Sequence, residues 1–275
     1  MEIQKRLRIR RRKKVDGTQF LCGIPSGDYV FQQEPYEEQI QAAVRYLQEA
    51  DYVLIGAGAG LSTAAGLTYS GKRFQDNFGE FIEKYGMQDM YSAGFYPFST
   101  EEERWAYWCR HSYVNRIEPP AMPLYEKLFE MVKDKNYFVL TTNVDHQFQK
   151  AGFQNERIFA TQGDYGRIQC MKGCHPKTYD AVSMFTQMNQ AQKDCKIPSY
   201  MVPRCPVCGG PMAMNLRCDQ YFVEDEQWNE AAENKNVNLV RLNLDEAVIP
   251  ESFGKRGIGI NRDLCESLDD IRKNM

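Results

Sequence analysis

The sequence predicts an α/β protein built on a parallel sheet, accompanied by a smaller part that carries helices and a zinc ribbon. Two observations lead to this prediction. Apolar, strand-like runs alternate with amphipathic, helix-like segments over most of the chain, as they do in βαβ units. Two pairs of cysteines follow at a spacing typical of a structural zinc site. With 275 residues, 43% of them hydrophobic, the chain is long enough to bury a substantial core.

Charge and cysteine content narrow the class of protein. The net charge is −3, but the first 14 residues carry eight Lys or Arg against one Glu, so the remaining body is acidic. Aromatic residues do not alternate with these basic residues as they do in single-strand binders, so we assign the arm no function and do not predict nucleic-acid binding. No apolar run reaches the roughly 18 residues of a membrane span, and no secretory signal is recognisable. Nine cysteines, an odd number, argue against a complete disulfide framework and fit a reducing compartment. We therefore expect a cytoplasmic protein.

The first regular elements are a helix over residues 35–50 and a short buried strand from Tyr52 to Ile55. The strand runs into Gly56, Gly58 and Gly60 and then into a segment compatible with the start of a helix. Glycine lets the backbone approach an anion closely, and the free N–H groups at a helix start bind its charge. The turn therefore predicts a phosphate site.

Two common phosphate-binding motifs are incomplete at this turn. Leu61 stands where GxGxxG requires its last glycine, and Arg73 stands where a P-loop requires Ser or Thr. A tight turn that binds nothing remains the alternative interpretation.

The segment from 74 to 122 is rich in aromatic residues at partly helical spacing and is predicted to form a small helical module. Most of these aromatic side chains are expected in its core, because aromatic residues at this spacing usually pack together. A further amphipathic helix over 122–133 leads into a second strand, Tyr137 to Leu140.

Polar residues follow the second and third strands directly. Asn143 and Asp145 come after the second strand, and Gln162 and Gly163 come after the third strand, predicted over 157–160. In open α/β sheets, ligands bind beyond the carboxyl ends of the strands, so these residues are candidates for ligand contacts. Asn and Asp also cap helices and form turns, which is the alternative for that pair.

Four cysteines form a candidate zinc site. Cys170 and Cys174 are followed 31 residues later by Cys205 and Cys208, and the second pair lies in PRCPVCGG, a zinc-ribbon turn. Four thiolates complete a tetrahedral site, so we expect a structural zinc ion and take His175 as a neighbour, not a ligand.

Beyond the ribbon, the pattern predicts a helix over 223–233, strands over 237–242 and 257–260, and a last helix over 263–271. These strands are expected to complete the sheet.

The motifs in this order resemble those of the sirtuins. GAGLSTAAG at 58–66 is similar to the family's GAGxSxxSG, TTNVD at 141–145 to its TQNID, and TQG at 161–163 to its catalytic LHG. The resemblance covers about residues 37–218. It implies a Rossmann-like domain that binds NAD, with a smaller module beside it.

The resemblance also implies a domain organisation. A basic arm and irregular lead-in occupy 1–34, and the Rossmann-like domain occupies 35–166 with the helical insert at about 74–122. The zinc ribbon occupies 167–218, and the chain returns to the Rossmann-like domain over 219–275.

Two departures from the common sirtuin pattern indicate a subgroup. The family's IPDFR is replaced by residues 67–74, and the catalytic histidine is replaced by Gln162. Both features resemble the macrodomain-linked sirtuins, mono-ADP-ribosyltransferases that act on a lipoylated glycine-cleavage H-like carrier protein. The resemblance implies that carrier as substrate and a macrodomain ADP-ribosyl hydrolase as functional partner.

The chemistry of Gln162 agrees with this subgroup. An amide cannot accept a proton, and a positioned general base contributes roughly 10² to 10⁴ in rate, so deacylation should be impaired while ADP-ribosyl transfer persists. An acceptor that is already ionised, an Asp or Glu carboxylate, fits best. A lysine deacylase and an inactive NAD or ADP-ribose binder remain the alternatives.

Site residues follow from the resemblance. It implies that NAD pyrophosphate lies on the glycine turn, that Asp145 holds the nicotinamide carboxamide, that Asn143 holds the nicotinamide ribose, and that Gln162 orients the reacting groups. The implied cofactor contacts on the turn, the following loop and the last strands are Gly58, Ala59, Gly60, Ser62, Gly66, Tyr69, Arg73 and Asn243.

One connection is shorter than the family pattern. Sirtuins have a further strand and a loop that contacts the phosphates between the helix that ends near Glu233 and the strand that begins at Val237. Residues 233–237 connect these elements directly here, so a unit of roughly 30 or more residues is expected to be missing.

Overall fold

The computed structural model describes residues 29–30, 35–217, 222, 239–243, 247, 249–250 and 257–275. The basic arm, the predicted helix over 223–233 and the short connection at 233–237 lie outside the described residues.

A three-stranded parallel sheet carries the glycine turn. Its strands are β2 (Tyr52–Ala57), β3 (Asn136–Thr141) and β4 (Ile158–Ala160), in the order β2-β3-β4. Ala57 lies opposite Thr141, and Thr141 lies opposite Ala160, so the three strands end at one level. The predicted strands are confirmed. Their common end brings the glycine turn, the Asn143 segment and the Gln162 segment to one edge of the sheet.

Amphipathic helices cover this sheet. The predicted helix over 35–50 is α1 (Tyr36–Glu49), the helix over 122–133 is α6 (Pro123–Val132), and the last helix is α9 (Leu264–Asn274). Their apolar faces pack with the strands in one core. Its largest buried members include Tyr125, Tyr137 and Phe148, the last of which lies on a short helix, α7 (Gln147–Lys150).

The last two predicted strands form their own parallel pair. They are β8 (Leu239–Asn243) and β10 (Gly257–Asn261). Within the described ranges they pair with each other and not with β2, so the sheet that we predicted as continuous is divided. Ile258 and Ile260 still pack in the same core as Ile55.

In the part of the chain that the structure describes, one edge of the three-stranded sheet has no strand beside it. Among the residues that the structure describes, β2 pairs with β3 alone. Tyr52 is 76% exposed and Leu54 is 53% exposed, although both are apolar strand residues. A second short sheet, between β1 (Tyr29–Val30) and β9 (Ile249–Pro250), is antiparallel.

The aromatic segment folds into the predicted helical module. It contains α3 (Lys72–Tyr85), α4 (Met90–Ala93), α5 (Glu101–Ser112) and a π-helix (Tyr113–Ile117). Most of its aromatic residues are core, as expected, and several are fully buried: Phe74, Phe78, Phe81, Trp105 and Tyr107. Tyr91, Phe95 and Tyr96 are exposed instead.

The cysteine-rich segment forms an antiparallel sheet of β5 (Gly163–Cys170), β6 (Thr178–Asp180) and β7 (Met212–Leu216), in the order β6-β5-β7. A helix that the sequence analysis missed, α8 (Val182–Ala191), lies in the insert between the two cysteine pairs. Phe185 on this helix packs on Trp105, with ring centroids 6.0 Å apart, so the ribbon and the helical module share one core. In the described residues, no helix has the length and apolarity needed to cross a bilayer.

Candidate active site and metal centre

The glycine turn lies where β2 passes into a short helix, α2 (Ala59–Ala64). Gly58 precedes the helix, and a Cβ there would lie 3.4 Å from the Thr142 hydroxyl, so the turn passes close to the end of β3. Ala59 and Gly60 are exposed. Gly66 follows the helix with φ of +99°, a conformation that glycine adopts without steric cost. The turn thus presents exposed backbone at the common end of the strands.

A buried chain of hydrogen bonds joins four side chains beneath this turn. Asn143 Nδ2 donates to the Tyr125 hydroxyl at 3.1 Å, the Tyr125 and Ser62 hydroxyls are 2.8 Å apart, and Ser62 Oγ donates to Asp145 Oδ2 at 2.5 Å. Because Ser62 gives its one proton to Asp145, it must accept from Tyr125. The chain therefore runs in one direction, from Asn143 to the Asp145 carboxylate.

Burial and hydrogen bonding act in opposite directions on Asp145. Desolvation raises the pKa of its buried carboxyl group, and the hydrogen bonds from Ser62 and the Gln147 backbone N–H only partly offset that effect. Burial likewise raises the pKa of Tyr125. Tyr125 was not predicted as a site residue, because its position in an amphipathic helix indicated only packing.

Gln162 lies apart from this chain of hydrogen bonds. It is exposed just after β4, its carbonyl accepts a hydrogen bond from the Arg217 backbone N–H at 3.2 Å, and no hydrogen bond joins its amide to Asn143 or Asp145. The Thr161 backbone N–H donates to Thr141 O, which places the Gln162 segment beside the end of β3. The structure therefore brings Ser62, Asn143 and Asp145 into one network and leaves Gln162 at its margin.

Arg73 and Tyr69 hold the loop that follows α2. The Arg73 guanidinium donates to Thr68 O, Val114 O and Asn115 Oδ1, each at 2.8 Å. The Tyr69 hydroxyl lies 2.8 Å from the Tyr165 hydroxyl, and burial raises the pKa of Tyr69 to about 12. The two side chains fasten the loop to the π-helix and to β5.

Asn243 ends β8, where its carbonyl accepts a hydrogen bond from the Arg262 backbone N–H at 3.0 Å. Its predicted contact with the adenosine ribose stays a prediction, as do the other implied cofactor contacts.

A charged cluster beside Asn143 and Asp145 was missed by the sequence analysis. Asp164 accepts hydrogen bonds from Arg116 Nε at 2.6 Å and from His146 Nδ1 at 2.8 Å. Burial would raise the pKa of Asp164, but the hydrogen bond from His146 and the charge of Arg116 lower it to about 2. The one signal in the sequence was the position of His146 directly after Asp145.

The four predicted cysteines converge. Their sulfur atoms all lie within 4.8 Å of one another, with Cys170 and Cys208 3.8 Å apart and Cys174 and Cys205 3.6 Å apart. A tetrahedral ion with metal–sulfur bonds of about 2.3 Å requires about 3.8 Å between sulfur atoms, so the donor set fits zinc. His175 Nδ1 lies 2.9 Å from Cys174 Sγ, which makes it a neighbour of the cluster, as expected.

Comparisons with related proteins identify the family to which this chain is similar. The sequence profile of the Sir2 family matches residues 58–238. The "Protein ADP-ribosyltransferase" of Staphylococcus aureus is 37% identical over 206 residues, which cover 74% of this chain and 65% of that protein. The "Probable bifunctional ADP-ribose hydrolase/ADP-ribosyltransferase" of Fusarium oxysporum f. sp. cubense is 31% identical over 227 residues, 74% of this chain and 37% of that protein. The chain thus spans just under two thirds of the first relative and just over one third of the second.

Solved structures share the fold at low sequence identity. A Sir2 homologue in complex with NAD superposes with a TM-score of 0.56 at 14% identity, covering 91% of this chain and 98% of that one. Sir2Tm bound to a propionylated peptide gives a TM-score of 0.53 at 16% identity, covering 86% and 98%. The fold predicted from the sequence, a Rossmann-like α/β domain with a smaller module, is confirmed. With the profile matching more than half of its length, the chain belongs to the Sir2 family.

Proposed function

We propose that this protein is an NAD-dependent protein ADP-ribosyltransferase of the macrodomain-linked type. The observation that carries the proposal is Gln162, an exposed amide at the end of β4 where the resemblance expects a histidine base. An amide cannot remove a proton from a ribose hydroxyl, so the path to deacylation is impaired, whereas capture of the anomeric carbon by an ionised acceptor needs no base there. The name of the Staphylococcus aureus relative supports the same reaction class.

In this proposal, the pyrophosphate and the nicotinamide of NAD bind to the residues that the resemblance implies. The pyrophosphate would lie on the backbone of Ala59 and Gly60, which are exposed, and of Gly58, which is half-buried. Asp145 binds the nicotinamide carboxamide, and the Ser62 hydroxyl, which donates to Asp145, keeps that carboxylate in place. NAD supplies the ADP-ribosyl group and a nicotinamide leaving group when it is bound.

Asn143 is suited to bind the nicotinamide ribose. Its Nδ2 is committed to Tyr125, so Oδ1 is the atom that can accept a hydrogen bond from a ribose hydroxyl. Such a contact holds the sugar as the glycosidic bond lengthens and positive charge develops on the ring. Asn143→Ala should therefore abolish transfer, and unchanged transfer would refute this assignment.

Zinc completes the ribbon in this proposal. Cys170, Cys174, Cys205 and Cys208 would occupy all four positions of a tetrahedral ion, which leaves none for substrate. The metal then stabilises the ribbon and takes no part in the reaction.

The acceptor and the functional partner are also proposals. The loop at 67–74 and Gln162 resemble the sirtuins that modify a carboxylate on a lipoylated glycine-cleavage H-like carrier protein. The Fusarium relative is named for an ADP-ribose hydrolase as well as a transferase, which favours a macrodomain ADP-ribosyl hydrolase as partner.

A deacylase is the second candidate. A Campylobacter jejuni protein named "NAD-dependent protein deacylase" is 29% identical over 122 residues, 44% of this chain. Gln162 argues against this activity for the reason given above.

One experiment separates these functions. Labelled NAD is incubated with the protein and the lipoylated carrier, and in parallel with an acyl-lysine peptide. We expect label on the carrier and no loss of acyl groups from the peptide. Deacylation of the peptide would favour the second candidate, and NAD binding without either product would indicate an inactive binding module.

A further inference from the structure

The zinc ribbon is a cationic segment of a chain whose other folded parts are acidic. Residues 167–218 carry seven Lys or Arg against two Asp, a net charge of +5. The segments on either side, residues 15–166 and 219–275, together carry 19 Lys or Arg against 34 Asp or Glu. A zinc ion bound by four thiolates has a net charge of −2, so the ribbon stays cationic with its metal in place. This asymmetry steers a negatively charged partner towards the ribbon.

One end of the ribbon combines exposed apolar and cationic side chains. Met171 follows Cys170 and Val207 precedes Cys208, and the Sγ atoms of these two cysteines lie 3.8 Å apart. The two apolar residues therefore lie at the same end of the ribbon, where Met171 is 43% exposed and Val207 is 65% exposed. We define the ribbon tip as these two residues and the two lysines near them: Met171, Lys172, Lys177 and Val207.

Both lysines of the ribbon tip are exposed. Lys172 lies along Gly210, where a Cβ would be 3.3 Å from Lys172 Cδ. The ammonium group of Lys177 lies 5.5 Å from the centre of the Tyr179 ring. Within the described ranges, neither lysine forms an ion pair with a carboxylate. Both charges can therefore pair with carboxylates of another molecule.

Strand β5 connects the ribbon tip to the candidate active site. The strand begins at Gly163, directly after Gln162, and ends at Cys170. Its eight residues span at most about 23 Å, because each step adds about 3.3 Å. A folded protein of about 100 residues has a radius of gyration of about 13 Å, so a protein docked on the tip extends as far as Gln162.

We propose that the ribbon tip is the docking surface for the acceptor protein, and that the acceptor presents carboxylates around an exposed apolar side chain. The inference rests on the proposed function, in which the acceptor is a protein modified on a carboxylate. Binding buries Met171 and Val207, while Lys172 and Lys177 pair with carboxylates of the acceptor. The acidic segments on either side of the ribbon disfavour binding of the same partner elsewhere.

A nucleic acid is the other polyanion that a cationic surface attracts. Single strands bind by stacking their bases on aromatic side chains. The exposed apolar residues of the tip, Met171 and Val207, are not aromatic, and Tyr179 is half-buried beneath Lys177. The tip therefore favours an acidic protein over a single strand.

The test measures two properties of the full chain with the lipoylated carrier: binding by titration calorimetry, and transfer from labelled NAD as a function of carrier concentration. Lys177→Glu and Val207→Asp alter the tip. Lys273→Glu and Met275→Asp are the matched controls, because both positions are exposed near the end of α9 and outside the ribbon. Elemental mass spectrometry of zinc in every variant checks that the ribbon keeps its metal.

We expect each tip variant to bind the carrier about tenfold more weakly and to raise KM for the carrier to the same extent, with kcat and KM for NAD unchanged. The controls and Lys177→Arg should bind the carrier like wild type. Raising the salt concentration from about 0.05 M to about 0.5 M should weaken carrier binding more in wild type than in Lys177→Glu, because salt screens the charge that this variant lacks.

Wild-type affinity in both tip variants, an equal loss of affinity in the controls, or a wild-type chain that does not bind the carrier would overturn the proposal. So would a single-stranded oligonucleotide that binds more tightly than the carrier and is released by Lys177→Glu. If the carrier binds through the tip but is never labelled, the proposed transferase function fails and the docking surface stands. If the carrier is labelled with an unchanged KM in both tip variants, the transferase function stands and the docking surface fails.

Discussion

Ser62 occupies the middle of the buried chain that runs from Asn143 through Tyr125 to Asp145. Its hydroxyl accepts one hydrogen bond and donates another, and an alanine at this position could do neither. This hydroxyl group therefore helps to position Asp145 and, through Tyr125, Asn143.

Replacing Ser62 by alanine tests that dependence. Ser62→Ala leaves the buried Asp145 and Tyr125 groups short of a partner, which should lower the free energy of unfolding by about 1–3 kcal/mol in urea titrations. Thr63→Ala is the matched control, because Thr63 is exposed on the same helix. If the two variants were equally stable, the chain of hydrogen bonds from Asn143 to Asp145 would not stabilise the protein.

Asp164 makes stability depend on pH. Its pKa falls from 3.8 to about 2 on folding, so its contribution is complete above pH 3.8 and is lost as pH falls through 2. The shift corresponds to about 2 kcal/mol. We expect the difference in unfolding free energy between wild type and Asp164→Asn to narrow by about that amount from pH 6 to pH 2. A difference that stays constant over this range would show that Asp164 does not titrate as described.

At the scale of elements, the π-helix connects two parts of the site. Asn115 on this helix binds Arg73 of the loop after α2, and Arg116 binds Asp164 after β4. The ammonium group of Lys150 donates to the carbonyls of Arg116, Ile117 and Pro119 and so fixes the end of the π-helix. Segments of this kind frequently occur at functional sites. One short element thus sets the positions of the loop and of the Asp164 cluster.

Arg73→Ala tests the loop. The substitution removes the guanidinium hydrogen bonds to Thr68, Val114 and Asn115. The loop should then order only when NAD binds, and affinity for NAD should fall about tenfold, or about 1.4 kcal/mol. Titration calorimetry with NAD measures this directly. Lys72→Ala is the control, since Lys72 forms an exposed ion pair with Asp76 that contributes little. Equal NAD affinities of the two variants would argue against a role for Arg73 in holding the loop.

The ribbon gives a prediction of its own. Cys174→Ser should remove bound zinc, measured by elemental mass spectrometry, and should unfold β5–β7, measured by hydrogen exchange. Cys265→Ser is the matched control, because Cys265 lies on α9 and outside the cluster. Zinc retained at full occupancy in Cys174→Ser would contradict the four-cysteine assignment.

Over the whole molecule, the sequence predicted features that depend on neighbours along the chain. Periodicity predicted β2, β3 and α1, glycine chemistry predicted the turn, and cysteine spacing predicted the cluster of four cysteines. The Arg116–Asp164 and His146–Asp164 contacts join residues 48 and 18 positions apart, and no local pattern indicates which charged groups will meet. The division of the sheet was missed for the same reason, because strand patterns do not identify pairing partners.

Strand β2, which has a neighbouring strand on one side only among the described residues, also affects how the molecules behave towards one another. Tyr52 and Leu54 form an uncovered apolar strip beside backbone groups that, in the described part of the chain, bond to no neighbouring strand. Such an edge is a template for another copy, so light scattering by the purified chain should rise with concentration. Leu54→Lys should suppress this increase in light scattering, because a charge on an edge strand opposes its pairing with the edge strand of another molecule. The solubility of this protein would then be limited by its sheet and not by its surface charge.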